Sequence, residues 1–390
     1  MKYGLLMKLL DFFHCKCYFQ YLMKYAERAK ELEILAVDSI QELLGNVPSV
    51  QVTSVKYEHR IADNLRIDGR IGFSHGGARY QLIVEVKSDG APRHVRSGVF
   101  QLMGYVAHLH QLGQTEMGER WIPMFASPYL SPQSRAICMD HDVAYLDLVG
   151  NAHLAFGDVY IDRAVAGEPK SETRSLRSIF TPKAAAILRV MLSDPDRPWR
   201  VVELAERART SLGHVSNVRK ALLSRELIEK RDEGVVLINP DGLLRMWRDN
   251  YRRPRGHRNK WYTHFHGRKL DERLRGELNP HRHAPRAVYS LNSAAGWLAP
   301  FVRDGTHSFY ADEQGRQLLQ DVLELSPAVI GPNVALCEPS DDTLFDDAVE
   351  PSPGIFCTSP VITYLDLWNG NERQREAASH LAGEFFPWLQ

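Results

Sequence analysis

The stretch Leu65-Arg-Ile-Asp-Gly-Arg-Ile-Gly-Phe-Ser-His-Gly-Gly-Ala-Arg-Tyr-Gln-Leu-Ile-Val-Glu-Val-Lys87 decides the reading of this 390-residue chain. Two β-rich runs, 65–73 and 79–86, flank Ser74-His-Gly-Gly77, whose paired glycines suit a tight hairpin turn. Residues two apart on a strand share a face, so Glu85 and Lys87 project together while Val86 packs on the other side. With the hairpin paired in this way, Asp68 reaches the same face. Two carboxylates and an ammonium so placed form an oxygen donor set for a hard cation such as Mg2+, with Mn2+ equally compatible. Such an ion activates water and stabilises charge on a phosphodiester, while the lysine positions the nucleophile or steadies the transition state. The alternative reading of the same residues is a solvated cross-strand ion pair.

Working outward, Lys24 to Leu44 has helical periodicity, with Ile34, Leu35, Val37, Ile40, Leu43 and Leu44 along one side, stopped by Gly45 and Pro48. A strand is expected over Val50 to Tyr57. Beyond the hairpin, Pro92 opens a helix over 93–112, followed by a strand over 121–126 and a helix over 132–139. Strands over 143–146 and 153–162 close an α/β domain spanning 24–163.

These residues and this element order resemble the PD-(D/E)XK nuclease superfamily. The resemblance implies a restriction-endonuclease-like αβββαβ core, with Asp68, Glu85 and Lys87 as the catalytic set and Asp68 and Glu85 as the metal ligands. Gln101 and Tyr105, at i and i+4 on the next helix, resemble an accessory pair that supports the site in some branches and faces DNA. Ile67 stands where the superfamily often has proline, and the acid from the first helix stays open among Glu31, Glu33 and Glu42. Arg93, His94 and Arg96 open the supporting helix and suit either phosphate contacts or a solvated helix end.

A polar stretch, 164–178, reads as a linker. Over 179–250, Thr181-Pro182 marks a helix start, and helices are expected over 182–192, 201–208 and 211–224. Strands over 228–230 and 235–238, joined by Asp232-Glu-Gly234, complete the element order of a winged helix-turn-helix. Ser211 caps the second helix of the motif, and Val215, Val218, Leu222 and Leu223 form its core stripe. That leaves His214, Ser216, Asn217, Arg219 and Lys220 to read bases or hold phosphates, with Lys230 and Arg231 at the shoulder of the wing. The competing use of such a motif is protein contact.

Residues 251–286 carry eleven Lys/Arg against three acids, interleaved with Tyr251, Trp261, Tyr262 and Phe265. Arg252, Arg253, Arg255, Arg258 and Lys260 lead this basic connecting stretch, which suits tracking of a phosphate backbone. Its five histidines (His257, His264, His266, His281, His283) fit no strong zinc spacing. Residues 301–390 reverse the sign, with four Arg against fifteen Asp/Glu. The formal net charge of zero therefore conceals a segregated charge map, so it does not exclude a nucleic-acid partner.

From Tyr289-Ser-Leu-Asn-Ser-Ala-Ala-Gly-Trp297 to Thr358-Ser-Pro-Val-Ile-Thr-Tyr-Leu-Asp-Leu367, closing on Asn371-Glu-Arg-Gln-Arg-Glu-Ala-Ala378, the chain resembles the C-terminal domain of AbiEi-type antitoxins. That resemblance covers roughly the last 210 residues by element order. It implies an α/β domain over 287–390 and a bacterial repressor of its own promoter that counters a nucleotidyltransferase-type toxin. In that family the winged helix is usually N-terminal, whereas here a nuclease-like domain precedes it.

Five scattered cysteines exclude a disulfide framework, and no apolar run is long enough for a membrane span. Residues 1–23 read as an amphipathic helix or an upstream extension, and a cytoplasmic location is expected. The expectation is thus a multidomain α/β protein that binds double-stranded DNA through a winged helix. Its nuclease-like domain either extends the footprint or cuts with Mg2+, and the third alternative is a partner-binding scaffold whose acidic end docks a basic protein. Oligomeric state is left open.

Overall fold

The computed structural model describes residues 27–62, 65–111, 119–167, 169, 178–301, 305–328 and 330–389. The expectations for residues 1–23, Cys15 and Cys17 included, lie outside the described residues, as does most of the linker. The chain divides into two compact units, Met1–Pro169 and Lys170–Gln390.

In the first unit, helix α1 (27–45) precedes strands β1 (Val50–Ala62), β2 (Leu65–His75) and β3 (Ala78–Val86). Helix α2 (Pro92–Gln111), β4 (Glu119–Ser127), α3 (Pro132–Met139) and β5 (Ala144–Asp147) follow. The last two strands are β6 (Ala152–Phe156) and β7 (Val159–Arg163). All seven strands join one sheet in chain order; β3, β4 and β5 run parallel and the other pairs antiparallel. The 153–162 run is therefore a hairpin, not one strand. Gly157, at φ +55°, supplies the left-handed turn residue that splits it.

Both faces of the sheet are covered, which is why Leu82-Ile-Val84 is apolar without alternation. Leu82, Val84, Ile71 and Met124 pack with Val37, Ile40 and Leu44 of α1. Ile83, Phe125 and Tyr145 pack on the other face with Val95, Val99 and Leu102 of α2 and Ile137 of α3. Gly69 lets α1 lie close on β2: a Cβ there would meet Val37 Cγ2 at 2.5 Å. Gly98 does the same for α2, where a Cβ would sit 2.4 Å from the Phe125 ring. Small residues at both positions seat the two helices that flank the end of the β2–β3 hairpin.

The second unit opens with α4 (Pro182–Ser193), α5 (Val201–Arg207), α6 (Leu212–Ser224) and the antiparallel pair β8 (Ile228–Arg231) and β9 (Gly234–Leu237). Helix α7 (Pro240–Asn250) leads into β10 (Gly256–Tyr262), α8 (Arg268–Leu274), β11 (Ala287–Tyr289), α9 (Leu291–Leu298) and β12 (His307–Ala311). Helix α10 (Glu313–Val322), β13 (Ser326–Pro327), β14 (Val334–Pro339), β15 (Val349–Ser352) and β16 (Ile355–Cys357) come next. Helices α11 (Pro360–Trp368) and α12 (Glu372–Phe385) end the chain. The large sheet is mixed, in the order β13-β10-β14-β12-β11-β16-β15.

Two expectations change here. Residues 251–286 are no mere connection: β10 pairs with β14 over six residues, from Gly256↔Pro339 to Trp261↔Val334. The helices of 179–250 also share one core with the end of the chain, since Leu188, Leu222, Leu244 and Trp247 cluster with Tyr364, Leu365, Ala378 and Leu381. Each helix pair alone leaves an apolar stripe that needs the other to cover it.

A buried carboxylate ties these parts together. Tyr251 and Tyr310 donate to the two Asp366 carboxylate oxygens, each at 2.9 Å, and Arg253 donates to the Asp366 carbonyl at 2.7 and 3.1 Å. Burial pushes the Asp366 carboxyl up to about 6, against the pull of its tyrosine donors. Between the ordinary carboxyl value of about 3.9 and that level, the folded state binds more protons than the unfolded, so stability falls as pH rises. The midpoint of thermal unfolding of the second unit is expected to drop between roughly pH 4 and 6 and then level off. Asp366→Asn is expected to flatten that slope while costing about 1–3 kcal/mol, because one tyrosine loses its acceptor. Equal slopes in the two proteins would contradict the assignment.

Candidate functional site

The β2–β3 register ends on the pair Gly69↔Val84, and one step further lie Asp68 and Glu85. The Glu85 side chain emerges on the face that carries Ile83 and meets Gln101 of α2, while Asp68 lies beside Val86 and within electrostatic reach of Glu33 on α1. Lys87 continues β3, its backbone N–H donating to the Ala126 carbonyl at 3.0 Å, which holds it against β4. Glu85 is 2% exposed, Asp68 is half-buried, and the Lys87 side chain is 35% exposed. Asp68 Oδ2 accepts from the Val86 N–H at 2.7 Å, and Lys87 Nζ donates to Glu85 Oε1. From α2, the Gln101 side chain hydrogen-bonds Glu85, and Gln101 Nε2 donates to the Tyr105 hydroxyl at 2.5 Å. The five residues expected from the sequence at this site are thus brought together.

Of the three acids left open on the first helix, Glu33 is the one with an electrostatic link to Asp68. Glu33 on α1 is half-buried, and its carboxyl is raised by burial and then by the Asp68 and Glu58 carboxylates. Glu31 and Glu42 are exposed. Asp68 is raised by burial, opposed by the Val86 N–H and by Lys87. Burial, then the Asp68 charge, pushes Glu85 up to about 7 despite Lys87. For Lys87, burial pulls the ammonium down, but the hydrogen bond to Glu85 and the Glu85 and Asp68 charges outweigh it and leave it raised.

Three carboxyls are raised here even with Lys87, Arg66 and Lys30 acting on them, and their donors are hard oxygens. Among the described residues no group of three or more His, Cys, Asp or Glu side chains is placed to hold a metal ion. Mg2+ keeps several waters and takes one or two protein carboxylates, so Asp68 and Glu85 suit it without a cage. A proton on Glu85 competes with a cation below about pH 7. Mg2+ binding is therefore expected to tighten by about tenfold from roughly pH 6 to 8, read by calorimetry. Equal affinity at the two ends would remove Glu85 from the ligand set.

The candidate DNA contacts are placed unevenly. Ser211 caps α6, accepting from the His214 N–H at 3.2 Å, and Val215, Val218 and Leu222 face the core. Asn217 and Lys220 are exposed, and Ser216 and Arg219 half-buried. His214 departs from expectation: its ring Nε2 is buried, turned away from solvent. Lys230 and Arg231 are exposed on β8, and Arg231 pairs loosely with Glu229 at 3.6 Å. Arg252, Arg255, Arg258 and Lys260 are exposed, but Arg253 is spent on the Asp366 carbonyl. In the first unit Arg93 is exposed and Arg96 half-buried at the start of α2, and His94 Nδ1 lies 3.2 Å from Asp89.

The segregated charge map is in part a set of ion pairs. Arg273 meets Glu324 at 3.3 Å, Arg282 meets Asp346 at 3.0 Å, and Arg286 meets Asp312 at 2.9 Å and Asp342 at 3.1 Å. Arg258 and Lys260 lie on β10, whose outer neighbour β13 covers only Trp261 and Tyr262. Charged side chains on such an open strand edge also keep other chains from pairing with it.

No protein-family model matches the chain, and no curated protein matches it. Two solved structures match part of it. One is an XisH family protein from Nostoc punctiforme PCC 73102, at 11% identity and a TM-score of 0.21. The other is a fdxN element excision controlling factor protein from Anabaena variabilis, at 12% identity and a TM-score of 0.21. Each match covers 28% of this chain and 88% of the other. Among the described residues, no helix is long and apolar enough to cross a membrane.

Proposed function

We propose that the chain is a Mg2+-dependent DNA endonuclease of the PD-(D/E)XK type, with its cutting site at Asp68, Glu85 and Lys87 and a winged helix that holds duplex DNA. The observation that carries this reading is the convergence of those residues with Glu33 and Gln101 at the end of one hairpin. Asp68 and Glu85 would hold the cation, which when bound polarises a phosphodiester and lowers the pKa of water. Lys87 opposes protonation of Glu85 and would present an ammonium to charge developing on the phosphate. Gln101 fixes the Glu85 carboxylate, and Tyr105 in turn fixes Gln101. Supercoiled plasmid incubated with the full chain and Mg2+ is expected to be nicked or linearised, with EDTA abolishing the products. No product with either Mg2+ or Mn2+ would reject the proposal.

A second reading rests on α6. Asn217 and Lys220 are exposed on a capped helix, with Lys230 and Arg231 exposed on the adjoining hairpin. These groups suit base and phosphate contacts in a DNA-binding regulator of the AbiEi-antitoxin type, with a nucleotidyltransferase-type toxin as functional partner. Replacing Arg219 and Lys220 with alanine is expected to weaken binding to the upstream region of its own gene. The slope of log affinity against log salt should fall by about one per lost phosphate contact. A mobility shift unchanged in the double variant would remove α6 from the DNA interface.

A further inference from the structure

The turn between α5 and α6 holds Arg209 at φ +48°, a left-handed backbone that strains any residue with a Cβ and that glycine adopts freely. The side chain at this position points to a small cavity. Arg209 Nη1 donates to Asp346 Oδ1 at 2.8 Å, and Arg282 donates to the same carboxylate through Nη2 at 3.0 Å and Nε at 3.4 Å. The Asp346 side chain is only 11% exposed, while those of Arg209 and Arg282 are 53% and 45% exposed. The buried carboxylate therefore anchors both guanidiniums, which keep further N–H donors for a ligand. They line a cavity of about 620 Å³ together with His281, His283 and Phe356. His281 packs edge-on against Phe356, with ring centroids 6.3 Å apart.

Two guanidiniums share one carboxylate among the lining residues, which therefore carry one net positive charge with the histidines neutral, and Asp342 lies within electrostatic reach of Arg282. Guanidinium forks match phosphate oxygens in geometry as well as in charge. The recess is half-open to solvent, its volume falls within the range of about 300–1,000 Å³ seen for small-molecule sites, and the aromatic wall beside the arginines suits a planar ring. We propose that this cavity binds a nucleoside phosphate, its phosphates on Arg209 and Arg282 and its base against Phe356. Bound there, the ligand ties the α5–α6 turn to residues 280–283 and to Asp346. The proposal does not depend on the cutting site or on DNA binding.

Calorimetric titration of the full chain with ADP, AMP and pyrophosphate tests it. ADP is expected to bind more tightly than pyrophosphate, and Arg282→Gln to weaken ADP by about tenfold or more, as loss of a charged hydrogen bond does. Arg209→Gly removes the guanidinium while easing the backbone, so it is expected to fold as well as the parent and to lose ADP equally. Phe356→Leu should weaken ADP and leave pyrophosphate unchanged. The proposal is overturned by no binding of ADP at millimolar concentration, by full affinity in Arg209→Gly and Arg282→Gln, or by pyrophosphate binding as tightly as ADP. It is also overturned if both variants lose affinity for a short duplex while ADP binds neither them nor the parent, which would assign the cavity to the DNA surface.

Discussion

Lys87→Ala is expected to lower Mg2+-dependent cleavage by about 10²–10³-fold while duplex binding stays unchanged, the size of effect seen when one preorganised charge-stabilising donor is removed. Lys87 acts twice. In the endonuclease reading its ammonium would face the phosphate, and its charge opposes protonation of Glu85 beside Asp68 in a site where burial favours the protonated acid. Without it the Glu85 carboxyl rises further, so the residual activity should reach its plateau at higher pH than in the parent. Folding stability should change little, because a buried Glu85 that has lost its cationic partner takes up a proton instead of remaining an uncompensated charge, and Gln101 still hydrogen-bonds it. Plasmid cleavage at several pH values, with a mobility shift as the control, separates these effects. Cleavage equally fast in Lys87→Ala would sink the endonuclease reading.

Arg189→Met is expected to destabilise the second unit by about 3 kcal/mol, near the low end for breaking a buried ion pair. Arg189 on α4 is 4% exposed; its Nε lies 2.8 Å from Asp347 Oδ2 and its Nη2 donates to the Thr343 carbonyl at 2.8 Å. Removing it strands Asp347, whose carboxyl is already raised by burial, and orphans a carbonyl. The Asp347 side chain keeps 24% exposure, which holds the cost down. For a unit of this size the unfolding midpoint should fall by roughly 6–12 °C. Arg189→Met combined with Asp347→Leu should recover most of the loss, because a buried pair is often replaceable by apolar packing. A double variant no better than the single one would show that the pair is not the cause.

The β2–β3 hairpin and the grouping of its polar side chains were legible because they are local. Alternation on a strand places Glu85 and Lys87 on one face, the hairpin brings Asp68 level with Glu85, and Gln101 and Tyr105 are one helical turn apart. Glu33 was not legible: Glu31, Glu33 and Glu42 lie on one helix, and only the seating of α1 on Gly69 decides which of them feels Asp68. The split of 153–162 was signalled by Gly157-Asp158, which an apolar run on either side disguised. His214 and Arg253 read as nucleic-acid contacts because sequence records which residues are polar but not which way they turn. One directs its ring nitrogen inward and the other caps a helix carbonyl.

The sequence by itself determined the element order of the first unit as far as β5 and of residues 182–238 in the second, the hairpin that carries two carboxylates and a lysine, and the capped helix with its core stripe. These follow from periodicity, turn residues and caps, all set within a few residues of one another. Only the tertiary structure decided that residues 251–286 belong to the same sheet as the acidic end, and that many of their charges cancel in pairs. It also decided that Asp366, Arg189 and Arg209 matter. Each of these meets partners more than a hundred residues away, and burial, which gives such contacts their strength, is a property of the packed chain alone.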